Sequence, residues 1–107
     1  MKLLTKEIIA KLKKSPFYST EKQDVAPVIV KYFAPWTNWT WFVLEATQED
    51  GEWMFFGLVQ GHETELGYFS LAELQSVTGP FGLRIERDLY LSDCVVDKTS
   101  NEVRRAS

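Results

Sequence analysis

Two runs rich in β-branched and aromatic residues, Trp39-Thr40-Trp41-Phe42-Val43-Leu44-Glu45-Ala46 and Trp53-Met54-Phe55-Phe56-Gly57-Leu58-Val59-Gln60, flank the short segment Gln48-Glu49-Asp50-Gly51-Glu52. Such residues suit a pleated surface, and Asp-Gly between two such runs is a strong hairpin signal. A two-residue turn pairs Glu49 with Glu52. Stepping outward, it sets Val43 opposite Leu58, Trp41 opposite Gln60 and Trp39 opposite His62, all on one side of the ribbon. Phe42, Leu44, Val59 and Phe55 take the other side. Both sides are largely apolar, so the hairpin is expected to be central and covered on both faces. The register is the sensitive point: it opposes two glutamates, and a one-residue slip moves Trp39 and Trp41 to the opposite side.

The rest of the chain arranges itself around that hairpin. Leu4, Ile8 and Leu12, with Ile9 beside them, give residues 4–14 a helical stripe. Thr5 is placed to cap the helix and Pro16 to stop it. Val28 to Phe33 reads as a strand after a polar connector. Gly61-His62-Glu63-Thr64 is a second turn, leading to a short strand over 65–69. Ser70 and Glu73 have capping-box spacing for a short helix, ended by Gly79-Pro80-Phe81-Gly82. Residues 83–91 alternate apolar and polar, and their latter part reads as a fifth strand at an edge. The expected class is α+β: an antiparallel sheet of four to five strands, an N-terminal helix and a short helix before the last strand. Residues 1–96 are expected to form one domain. Residues 97–107, polar and without periodicity, are expected to be a mobile C-terminal tail.

Composition removes several functions. The net charge is −3 and many of the lysines (Lys6, Lys11, Lys13, Lys14) cluster on one helix. The basic surface that holds a phosphate backbone is therefore not indicated, and nucleic acid is not the expected partner. No apolar run is long enough to span a bilayer, so no membrane role is expected, and a cytoplasmic location is the default. Cys94 is the single cysteine. It can form neither an internal disulfide nor a CxxC pair, and no glycine-flanked elbow surrounds it, so an inert thiol is expected. No glycine-rich loop precedes a long helix, so no phosphate-cradling loop and no cofactor is indicated.

The chemical candidates gather at one end of the hairpin. Trp36, Asn38, Trp39, Trp41, Gln60, His62, Glu63 and Glu65 combine aromatic walls with a few polar groups, as a ligand cleft or interface anchor requires. A packed core with Asn38 and Gln60 fixing the loop is the plainer account. One histidine and two acids are a weak signal for metal: a site needs three or four ligands in suitable geometry, and along a strand Glu63 and Glu65 point to one side while His62 points away. Arg87 falls on an otherwise apolar face and needs a carboxylate there. Glu45 is the first candidate for a structural ion pair and Glu65 the second, with an anion site as the alternative.

Several stretches resemble a bacterial family known as domain of unknown function 2958: the opening Met1-Lys2-Leu3-Leu4-Thr5-Lys6-Glu7-Ile8, then Asn38-Trp39-Thr40-Trp41, Phe55-Phe56-Gly57-Leu58-Val59, the long string Gly61 to Leu71, and Gly82-Leu83 with Ile85-Glu86-Arg87-Asp88-Leu89-Tyr90. The resemblance covers roughly residues 1–91. It implies a small protein encoded on plasmids and other mobile elements, beside conjugation or anti-defence genes. It carries no catalytic residues over. The leading reading is a non-enzymatic accessory protein that contacts a host or element-encoded protein. The alternatives are a small-ligand domain or minor hydrolase or transferase using His62 with Glu63 or Glu65, and a nucleic-acid-associated factor using the lysine helix. Oligomeric state is not legible.

Overall fold

A computed structural model of the chain describes residues 1–106. Thr5 caps helix α1 (Lys6–Lys13), its Oγ1 accepting the Ile8 N–H at 3.2 Å. That satisfies one of the donors left open at a helix start. Glu7 sits in the first turn, with Lys11 and Lys13 in the last, as the helix dipole favours. Then come β1 (Val25–Pro27), β2 (Val30–Phe33), β3 (Thr40–Glu49), β4 (Glu52–Gln60) and β5 (Thr64–Ser70). Helix α2 (Leu71–Ser76) follows, its start capped by Ser70 Oγ, which accepts the Glu73 N–H at 3.0 Å. A single 3-10 turn (Pro80–Gly82) leads to β6 (Glu86–Arg87), β7 (Cys94–Asp97) and β8 (Glu102–Arg105).

The class is α+β, with an N-terminal helix, a five-stranded antiparallel sheet in the order β5-β4-β3-β2-β6, and a short helix before the later strands. The strand read from residues 83–91 shortens to Glu86–Arg87 and lies at the sheet edge beside β2. A second sheet, β1-β7-β8, adds to what the sequence pattern implied. It includes much of the segment expected to be a mobile tail. Residues 102–105 pair with β7, from Asp97↔Glu102 to Cys94↔Arg105. That correction has a physical cause: Val103 packs on the apolar cluster around Val96, a contact that local polarity does not reveal.

The central hairpin keeps the expected register only near its turn. Glu49 opposes Glu52, and Ala46 opposes Phe55. Between Val43 and Glu45 the ladder shifts by one residue. The extra residue, Leu44, makes a β-bulge. Beyond it Val43 opposes Gly57, Trp41 opposes Val59 and Thr40 opposes Gln60. The expected pairs Val43–Leu58 and Trp41–Gln60 do not form. Backbone groups freed by the bulge are taken up by Ser15: its Oγ donates to the Leu44 carbonyl at 2.8 Å, and its carbonyl accepts the Ala46 N–H at 2.9 Å. Close approach is possible because the partner is glycine. A Cβ on Gly57 would lie 1.8 Å from the Phe42 carbonyl oxygen.

The bulge distributes side chains between two cores. One face of the sheet carries Tyr32, Val43, Phe55 and Phe69, closed over by Leu12 of α1, Leu74 of α2, and Leu3 and Ile85. Phe42, Leu44 and Leu58 face the other way, against Ala26 and Val96 of the second sheet. Phe55 and Val59 thus lie with the tryptophans, opposite to the side first expected for them. The hairpin is central and covered on both faces.

Candidate functional site

The connection between β2 and β3 is tight. The Ala34 N–H donates to the Trp39 carbonyl, and the Thr37 N–H to the Ala34 carbonyl, both at 3.0 Å. Thr37 Oγ1 also accepts the Trp39 N–H at 3.0 Å. The turn therefore holds Trp36 and Trp39 in place through its backbone. Two glycines seat their rings. A Cβ on Gly79 would come within 2.4 Å of the Trp36 ring, and one on Gly61 within 2.4 Å of Trp39. Trp39 and Trp41, with ring centroids 5.9 Å apart, continue the wall along β3.

Together Ala34, Trp36, Thr37, Trp39, Trp41 and Val77 line a cleft of about 320 Å³. That is the size at which small-molecule or side-chain pockets begin. All three tryptophans are only partly buried, and Val77, just past the end of α2, is exposed. Val77 was not legible as a site residue. Its only signal is an apolar residue left beyond a six-residue helix and two places before Gly79.

His62 meets this wall from outside. Its ring stands edge-on to Trp39 at 5.4 Å and 83°, and the side chain is exposed. The contact expected between the lone imidazole and a tryptophan is present, although the pairing proposed to produce it is not. Gln60 is separated from the cleft: its partner is Thr40, and strand alternation turns both away from Trp39 and Trp41. Asn38 is exposed, its carbonyl accepting the Thr40 hydroxyl at 3.4 Å. Glu63 is exposed in the turn. Glu65 lies opposite Val59, also exposed. Among the described residues His62 forms no ion pair with either acid, and no group of three or more His, Cys, Asp or Glu is placed to hold a metal ion. Burial raises the Cys94 thiol above its ordinary value, which weakens it as a nucleophile.

The expected Arg87–Glu45 pair does not form. The bulge puts Glu45 on the face away from Arg87, where it is buried. Its Oε1 accepts the Tyr18 N–H at 2.9 Å and its Oε2 accepts the Thr20 N–H at 3.0 Å and the Thr20 hydroxyl. Lys98 Nζ donates to the same hydroxyl at 2.9 Å. Glu45 therefore pins the 18–20 loop, including Tyr18 at φ 72°, and closes a network in which each member has partners. Glu65 cannot replace it: Glu65, Val59, Trp41, Tyr32 and Arg87 form one row across the sheet, with the acid and the guanidinium at opposite ends.

No helix among the described residues is long and apolar enough to cross a membrane. Neither a curated protein nor a solved structure matches the chain. The family model described as "Protein of unknown function (DUF2958)" matches residues 3–97, and the chain belongs to that family.

Proposed function

We propose that this protein is a non-enzymatic accessory factor that docks on a protein partner by receiving an apolar side chain in the Trp36–Trp39–Trp41 cleft. The observation that carries the reading is the cleft itself: three partly buried indoles, Trp36 and Trp39 seated by a tight turn and two glycines, and Trp41 beside them on β3. A core would bury them; tryptophan left at a concave surface is the usual composition of an interface anchor. Phe81 adds a second anchor two residues beyond Gly79. Its ring is fully exposed at 101%, on a backbone at φ 57°, a left-handed conformation that costs a bulky residue energy and recurs at functional positions. A host or element-encoded partner, as in the mobile-element setting that the family resemblance suggests, fits this surface. The alternative built on His62 with Glu63 or Glu65 has less support, because the two acids stand outside the cleft and neither pairs with the imidazole.

The test uses surface changes that leave the core intact. Cross-linking and pull-down with the wild type should retain a protein that Val77→Glu and Phe81→Ser both lose, at unchanged melting temperature. Equal retention by all three proteins rejects the docking surface.

A further inference from the structure

Arg87 makes no side-chain hydrogen bond or ion pair among the described residues, and its Nη1 is shielded from solvent with no acceptor. Arg87 as a whole is half-buried, and a shielded N–H of a charged group left without an acceptor is unusual, since buried polar atoms are ordinarily hydrogen-bonded. Its position explains the orphaning. Arg87 opposes Tyr32 at the sheet edge, on the face that α1 covers. Tyr32 offers nothing: its hydroxyl donates to the Leu3 carbonyl at 2.7 Å. Asp88, the neighbouring acid, is engaged elsewhere. It pairs with Lys31 at 3.4 Å, and its Oδ1 accepts the Tyr90 N–H at 2.9 Å.

Arg87 lies in the wall of a cleft of about 260 Å³ between α1 and the sheet edge, together with Thr5, Glu7, Lys11, Asp88 and Leu91. With Asp88 paired to Lys31, the charges left in that wall are Arg87 and Lys11 against Glu7. Thr5 Oγ1 accepts the Ile8 N–H, so its own hydrogen is free to donate. Two cations and a hydroxyl among the residues that line a small cleft are donors suited to oxygen acceptors. Guanidinium presents paired N–H groups that match the two oxygens of a carboxylate or phosphate. The cleft falls below the usual range for drug-sized ligands, which suits a small anionic group over a nucleotide.

We propose that Arg87 anchors a small-oxyanion site at the edge of the sheet, taking a carboxylate or phosphate group with Lys11 and the Thr5 hydroxyl at its rim. This stands apart from the tryptophan cleft and from the docking reading. It is tested by following the backbone amide resonances of Thr5 and Asp88, which line the cleft, by NMR at constant ionic strength, with the Arg87 Nε–H added in the wild type. One arm titrates inorganic phosphate; the other titrates a capped pentapeptide with a free C-terminal carboxylate against its amide. A saturable shift with phosphate assigns a free anion. A shift with the carboxylate peptide alone assigns a partner-borne one. Arg87→Met should weaken the response at least about tenfold, the value of a charged hydrogen bond, and should not lower the melting temperature, because it removes an unpaired charge. Arg87→Lys should retain part of the binding. Glu7→Gln should tighten binding. No shift in either arm, or an anion-induced shift in Arg87→Met equal to that of the wild type, overturns the site. So does a loss of stability in Glu7→Gln with unchanged anion response, which would make Glu7 the guanidinium's own partner.

Discussion

At the scale of single residues, Tyr32 shows how position changes chemistry. It is fully buried, and burial pushes its phenol well above the ordinary value of 10.0, while the nearby Arg87 acts weakly in the opposite sense. A group whose folded pKa is raised contributes stability below its unfolded value and loses it as pH rises beyond. Here the unfolded chain ionises above pH 10.0 while the buried phenol stays neutral. Tyr32→Phe should therefore cost about 1 kcal/mol at neutral pH, through the unpaired Leu3 carbonyl. Urea titrations at stepped pH should show that deficit shrinking above about pH 10, because phenylalanine has no proton to lose. A constant deficit would show that the phenol ionises alike in both states. That Tyr32 lies in a strand was legible from its β-branched and aromatic neighbours. The seating of Trp36 on Gly79 was not, because residues that meet across a chain reversal leave no periodic trace.

The elements divide by how local their causes are. Both helices were legible because their caps, Thr5 and Ser70, lie within three residues of the N–H groups they satisfy. The Asp50–Gly51 turn was legible for the same reason: both residues adopt positive φ, at 49° and 80°, as a two-residue hairpin loop demands. β8 was missed because its reason for being a strand is remote. Val103 covers the Val96 cluster, and Asn101 Nδ2 reaches the Thr64 carbonyl at 3.3 Å. Arg104 also pairs with Asp97 at 2.9 Å. Removing residues 99–107 should uncover Val96 and lower stability by about 1–3 kcal/mol, the scale of one or two aliphatic side chains returned to water. Urea unfolding of the truncated chain checks this. An unchanged midpoint would make β8 a surface attachment and return the segment to the status of a tail.

For the molecule as a whole, one sheet serves two cores. Leu12, Tyr32 and Phe55 lie on one face, and Phe42, Leu58 and Val96 belong to the other. Because β3 and β4 contribute to both, neither core can open without disturbing the strands that line the other. Tryptophan fluorescence reports the first face, and amide exchange at Val96 reports the second. The two should give one midpoint and one unfolding free energy, the signature of two-state behaviour. Separate transitions would mean that the β1-β7-β8 sheet opens on its own. The sequence by itself determined the class, the five main strands, both helices and the gathering of tryptophans at one hairpin end, because periodicity, caps and turn residues act over a few positions. The tertiary structure alone decided the bulge at Leu44, and with it which face Trp41, Gln60 and Glu45 present. Its backbone groups are satisfied by Ser15, and Glu45 by Tyr18 and Thr20. Those partners come from a distant stretch of chain that no local pattern ties to the hairpin.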